Sequence, residues 1–338
     1  MPPLCVLGAS VVNPLRGESA GRVHYTSVMP LIVTGTIGID TVHTPAGSAE
    51  RVLGGSATYF SAAASFFTPV RMVAAVGGDF HDDHRATLAR FPNVCVIGME
   101  ERPDSKTFAW GGRYLEDMNV RETLFTELGV LAEAPAATPD QYRDSKHVFL
   151  ANTHPAVQRE MLARFPDRGL AVADTMDLWI DTARDDLNAL MREIDGLVLN
   201  DQEAQQLTGE RNPITAGRAI LSMGPSFAVI KKGEHGCVMV HREGIAALPA
   251  YPAEHVVDPT GAGDSFAGGL MGHVAARRAA ERAGAEPVSF TMLQEGLARG
   301  TVIASFTLES FSLDRLAGLS EEELRDRLRE FQRIASPG

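Results

Sequence analysis

No apolar run in the 338 residues approaches the eighteen or so that a membrane-crossing helix needs. Cysteine is scarce as well: Cys5, Cys95 and Cys237 lie far apart with no Cys-x-x-Cys spacing. That argues against zinc or a disulfide framework, and it fits thiols kept reduced. The amino terminus lacks the basic start and long apolar stretch of a secretory signal, so a cytoplasmic location is expected. Dense basic blocks are missing too, and the formal net charge is −12. So acidic a surface repels nucleic acid and anionic membrane, and neither is expected as a partner. There is no Gly-x-x-x-x-Gly-Lys, which sets aside P-loop chemistry.

What remains is an ordinary composition, 44% hydrophobic and 22% charged, long enough for one large α/β domain. Residues 1–28 hold several breakers and no sustained period, and they read as an extension ahead of a possible start at Met29. Leu31 to Asp40 reads as one buried parallel strand ending in a carboxylate. Gly54 and Gly55 then lead from a strand into a small-residue helix. His81-Asp82-Asp83-His84 fits a solvated first helical turn better than a metal site. From Lys106 to about Leu128 the pattern alternates, which indicates antiparallel ribbon around the polar turn Glu116 to Asn119. Short apolar strands at His147–Leu150, Leu170–Asp174, Gly196–Leu199 and Phe227–Lys231 alternate with helical stretches, the rhythm of a parallel sheet covered on both faces. Cys237–Val240 and Ile245–Leu248 suggest a closing hairpin, and two helices follow near 288–304 and 321–334.

The stretch that carries most chemistry runs from Asp258 to Gly269. Gly261 and Gly263 bend the backbone just before a small-residue helix, so unpaired N–H groups point outward with the helix dipole behind them. Such a turn holds phosphate or an oxyanion. Asp264 stands within it, where a carboxylate either caps the helix or takes a proton from an attacking hydroxyl. Asn200 and Glu203 open another helix beyond a strand's carboxyl end. Their spacing serves a capping box, and equally a set of oxygen donors for Mg²⁺ or its waters.

The string Asp258-Pro-Thr260-Gly261-Ala262-Gly263-Asp264 with its small-residue helix resembles the carboxy-terminal signature of the ribokinase-like (PfkB) family of sugar and nucleoside kinases. Gly54-Gly55 resembles the family's amino-terminal signature, and Asn200-x-x-Glu203 and the Lys231 to Gly236 turn follow in the family's order. The resemblance spans roughly residues 31–316. It implies a three-layer α/β/α sandwich with a mostly parallel central sheet and a small β-sheet lid, within a domain of residues 29–338. The lid strands would come from about 41–54 and 104–128.

The resemblance also implies roles. Asp264 would be the catalytic base, and Gly261, Ala262 and Gly263 the anion hole. Asp40 would bind a pair of substrate hydroxyls, with Gly54 and Gly55 letting the substrate lie against the backbone. Asn200 and Glu203 would hold Mg²⁺ through water. Lys231, Gly233, Gly236 and Thr260 would border ATP, neither Lys231 nor Lys232 being given a catalytic part. Asp258, and with it Glu309, are candidates for a monovalent cation such as K⁺. Tyr59 departs from the family's usual Asn. It signals either a more aromatic pocket or core packing. Trp110 and Tyr114 would stack on a ring or fill a homodimer interface through the lid. The expected protein is a cytoplasmic carbohydrate kinase acting on a hydroxymethyl group. A nucleoside kinase or a ligand-binding sensor on the same fold are the alternatives. The helix N-terminus is expected to keep Asp264 ionised at neutral pH.

Overall fold

A computed structural model describes residues 30–281 and 287–335. The extension over residues 1–28, the start at Met29 and Cys5 lie outside the described residues. Among the described residues there are thirteen strands: β1 (Leu31–Thr34), β2 (Gly38–Thr44), β3 (Gly47–Gly54), β4 (Val70–Gly77), β5 (Val94–Arg102), β6 (Phe108–Tyr114), β7 (Arg121–Glu127), β8 (His147–Leu150), β9 (Leu170–Asp174), β10 (Gly196–Asn200), β11 (Phe227–Lys231), β12 (Cys237–His241) and β13 (Gly244–Leu248). Nine make one sheet in the order β13-β12-β11-β10-β9-β8-β1-β4-β5. It is parallel from β11 to β5, with β12 and β13 added antiparallel at one edge. The other four form a separate sheet, β3-β2-β6-β7. This is a ribokinase-like α/β fold.

Side-chain alternation explains the layers. Leu31 and Val33, Leu170 and Val172, Phe227 and Val229 enter one core, while Ile32, Ala171, Ala173, Ala228 and Ile230 enter the other. Both faces are therefore apolar and both are covered by helices. The first core is closed by helices Ser56–Ala64, Ala262–Glu281 and Phe290–Thr307. They pack backbone to backbone. A Cβ on Gly268 would lie 2.4 Å from the Phe60 carbonyl, and one on Gly300 2.6 Å from that of Phe266. This close fit fixes where helix Ala262–Glu281 begins. Cys95 and Cys237 are buried, and burial pushes the Cys237 thiol up to about 12.

One expectation is corrected. Leu31 to Asp40 is two strands, because the chain leaves the main sheet after Thr34. Thr36 is captured by the start of helix Ser56–Ala64. Its Oγ1 accepts the Ser56 N–H at 2.9 Å, its carbonyl accepts the Ala57 N–H at 3.0 Å, and its own N–H donates to Ser56 Oγ at 3.2 Å. These bonds tie Thr36 to the helix start, beyond the end of the β1 ladder. The chain turns outward, and Asp40 falls within β2 of the small sheet instead of at the end of β1.

That small sheet lies over the turn before helix Ala262–Glu281. Thr44 Oγ1 donates to the Val257 carbonyl at 2.8 Å, Ser312 Oγ to the Leu53 carbonyl at 2.5 Å, and Thr260 Oγ1 to Tyr114 Oη at 3.3 Å.

Candidate active site

Asp264 stands in the first turn of helix Ala262–Glu281, with Gly261 just before it at φ 75°. A Cβ on Gly261 would lie 2.3 Å from the Tyr59 ring, so that ring rests flat on the turn. Only glycine admits both the positive φ and the contact. Tyr59 is buried at the centre of the acidic groups, and its hydroxyl is pushed well above the usual range by burial, then by Asp258, Asp40, Tyr114 and Asp264. It is core and site floor at once. On the other side, Lys231 Nζ would lie 2.7 Å from a Cβ on Gly263. The end of β11 thus brings an ammonium to the anion turn.

Burial lifts the Asp264 carboxyl to about 6, against the pull of Lys231 and with a push from Glu203. The expected lowering by the helix terminus is overruled, because removal from water outweighs a half-charge dipole. The group remains about nine-tenths ionised at pH 7. Asp174, at the end of β9, joins the same cluster. It is buried, its Oδ1 has no hydrogen-bond partner among the described residues, and burial, then Asp264, hold its carboxyl well up despite Lys231.

Asn200 and Glu203 do form a capping box. Asn200 Oδ1 accepts the Glu203 N–H at 2.7 Å and Glu203 Oε2 accepts the Asn200 N–H at 2.7 Å. One oxygen of each is therefore engaged, which suits a water-mediated role toward a metal better than direct ligation. No group of three or more Asp, Glu, His or Cys among the described residues is placed to hold a metal directly. Yet Asp174, Glu203 and Asp264 all draw on one cation, Lys231, with Arg121 acting on Glu203 besides. This surplus of carboxylate and the orphaned Asp174 oxygen fit a hydrated divalent ion.

The Asp40 side of the cluster is built from the small sheet. Asp40 is only 4% exposed. It receives the Gly55 N–H and lies so close to Gly54 that a Cβ there would be 1.9 Å from its Oδ2. Its Oδ1 has no partner among the described residues. Burial, Asp258 and Asp264 raise its carboxyl to about 7. Across the ladder Asp40 faces Trp110 on β6, and Trp110 lies over Gly112, two residues along the same face. Asp258 completes the wall. Its Oδ1 accepts the Thr260 N–H at 2.8 Å, its Oδ2 is unpartnered among the described residues, and burial raises it to about 6. That free oxygen fits a cation. Glu309 does not fit one, since its two oxygens are taken by Arg315 at 2.7 Å and Arg327 at 2.6 Å.

The Lys231 to Gly236 segment is a tight turn, closed by the Lys232 N–H to the Gly236 carbonyl at 2.7 Å, with Gly233 at φ 53° and Gly236 at φ 83°. Asn119, at the tip of the β6–β7 turn, reaches it: Asn119 Oδ1 would lie 3.2 Å from a Cβ on Gly233. The small sheet thus spans from Asp40 to this turn. The sequence offers Asp174 only as the carboxylate that ends a strand, and Asn119 and Arg121 were missed. A carboxylate at a strand's end was the one signal for Asp174. The other two depend on strand register, which no local motif announces.

A lidded α/β sheet whose carboxylates and a helix-start anion turn converge below the lid defines a phosphotransferase of the ribokinase-like class. The chain belongs to the pfkB family of carbohydrate kinases, whose pattern it matches over residues 31–314. It is similar to the cytidine kinase of Thermococcus kodakarensis, 29% identical over 252 residues that cover 72% of this chain and 88% of that protein. Its fold is similar to Methanocaldococcus jannaschii nucleoside kinase, with a TM-score of 0.69, 16% identity, and 90% and 99% of the two chains covered. Burkholderia thailandensis nucleoside kinase in complex with inosine gives a TM-score of 0.68 at 18% identity, over 90% and 100%. No helix among the described residues is long and apolar enough to cross a membrane.

Proposed function

We propose that this chain is an ATP- and Mg²⁺-dependent kinase that phosphorylates a hydroxymethyl group, with a nucleoside as the favoured acceptor and a free sugar as the alternative. The observation that carries the reading is the placement of Asp264, half-buried beside the Gly261–Gly263 turn and Lys231, below an Asp40 carboxylate with one oxygen free. The nucleoside preference is supported by Trp110 facing Asp40 across the ladder, an aromatic surface for a base beside a carboxylate for ribose hydroxyls. It is supported too by the named activity of the Thermococcus relative.

In this mechanism Asp40 orients the acceptor, and Asp264 takes the proton of its hydroxyl as the oxygen attacks phosphorus. The N–H groups of Gly261 and Gly263 and the Lys231 ammonium receive the charge on the phosphoryl as the bond to ADP breaks, the Ala262 N–H being held by the Pro259 carbonyl at 3.2 Å. Positioning and charge stabilisation supply most of the rate, with base catalysis contributing about a hundred- to ten-thousand-fold. Bound Mg²⁺, near Asn200, Glu203 and Asp174, supplies charge neutralisation of the nucleotide phosphates. Thr260, Gly233 and Gly236 border the nucleotide, and Asp258 Oδ2 is the oxygen we assign to a monovalent cation such as K⁺. Exposed Leu115, Val120, Leu124 and Phe125 on the lid support pairing of two copies through it.

The test is kcat/KM with Mg·ATP for cytidine, inosine, ribose and fructose. Turnover with nucleosides alone supports the reading, and turnover with sugars alone moves the acceptor to carbohydrate. Tight ligand binding without turnover replaces the kinase reading with a sensor.

A further inference from the structure

We infer that Arg121, at the start of β7, is a catalytic residue carried by the lid, whose guanidinium meets the transferring phosphoryl group from the side opposite the Gly261–Gly263 turn. This rests on the phosphotransfer reading above.

Strand register puts Arg121 on the correct face. Its cross-strand partner is Tyr114, and Tyr114, Gly112 and Trp110 alternate along β6 toward the same side. That side looks into the site, because Tyr114 Oη accepts from Thr260 Oγ1 at 3.3 Å and Trp110 faces Asp40. The Arg121 guanidinium carbon lies 5.2 Å from the centroid of the Trp110 ring. It also hydrogen-bonds the Tyr114 hydroxyl, which places it two polar contacts from the residue preceding Gly261. Its charge is felt across the site at Glu203, where it favours the ionised carboxylate.

Its charge is also available. Arg121 is exposed and has no ion pair among the described residues. Stacking on Trp110 restrains the guanidinium without neutralising it. Meanwhile the site below has Lys231 as the shared cation of three carboxylates, so an arriving phosphate needs further positive charge. A planar guanidinium matches phosphoryl oxygens two at a time, which a lysine does not.

The lid delivers it in register. Asp117 Oδ1 accepts the N–H groups of Asn119 at 3.2 Å and Val120 at 3.1 Å, stiffening the β6–β7 turn. The same turn meets the Gly233 segment through Asn119. Arg121, two residues further on, is thereby set between the nucleotide turn and the acceptor wall.

The experiment compares the parent with Arg121→Gln and Arg121→Lys in two readouts. In steady-state turnover with Mg·ATP and the best acceptor of the panel, Arg121→Gln should lower kcat about a hundredfold or more while acceptor KM moves little, and Arg121→Lys should recover part of the loss. In calorimetric titrations with Mg²⁺, the parent should prefer AMP-PCP over ADP. Arg121→Gln should lose that preference with ADP affinity kept. If kcat is retained and only acceptor KM rises, or if AMP-PCP and ADP keep their parental ratio, Arg121 merely orders Trp110 and the inference is wrong. Failure of the phosphotransfer reading is distinct, since the parent would then turn over no acceptor.

Discussion

Asp40→Asn should make this protein more stable and nearly inactive. Burial with Asp258 and Asp264 nearby raises the Asp40 carboxyl from 3.8 to about 7. The shift of about 3 units corresponds to roughly 4 kcal/mol, an upper figure for the cost of keeping the group ionised in the folded chain. The folded state binds the proton more tightly than the unfolded chain, so Asp40 favours folding fully below pH 4, and that contribution is lost as pH rises through 7. Asparagine has the same shape, still accepts from Gly55, and does not titrate. The variant should therefore gain about 2–4 kcal/mol at pH 8, and the gain should close toward pH 4. With 338 residues at about 2.1 cal/mol/K each, the melting temperature should rise by roughly 3–6 °C at pH 8. Calorimetric melting at both pH values checks this, and acceptor KM should rise at least tenfold in the same preparation. A variant no more stable than the parent at pH 8, or equally stabilised at both pH values, would refute the reasoning. Stability would then not be what Asp40 gives up for function.

Other consequences are measurable. Below about pH 7, kcat/KM should fall as Asp40 and then Asp264, at about 6, take up protons, with a limiting slope near two on a logarithmic plot. A pH-independent profile between 5 and 8 would contradict both assignments. Gly54→Ala puts a Cβ onto the Asp40 carboxylate and should raise acceptor KM with little change in the KM for ATP, read by initial rates. Gly261→Ala must accept φ 75° and push the Tyr59 ring aside; it should lower kcat at least tenfold, and parental kcat would argue that the turn plays no part in transfer. Asn200→Ala removes the capping box, costing about 1 kcal/mol in denaturant unfolding, and should raise the Mg²⁺ concentration needed for half-maximal rate.

Much of the architecture could be read ahead of the coordinates, because it rests on local constraints. The alternation of β1, β9 and β11 sorts residues between two cores, and the glycines at 54, 55, 261 and 263 mark places where a side chain would collide with a carboxylate, backbone, an aromatic ring or an ammonium. What escaped was long-range. Thr36 lies beyond the sheet, tied to a helix beginning 20 residues later, and nothing within Leu31 to Asp40 announces that partner. Arg121 belongs to the site through its register opposite Tyr114. The direction of the Asp264 shift follows from burial among elements brought together by the fold, not from the helix dipole that the motif reveals.

Acceptor-dependent ADP formation from Mg·ATP, followed for the parent and Asp264→Asn side by side, tests the central claim most directly. The account predicts turnover with at least one nucleoside or sugar in the parent and a loss of about a hundredfold or more in the variant, with acceptor and ADP binding kept. Equal rates in the two proteins, or tight acceptor binding with no ADP formed by either, would contradict it.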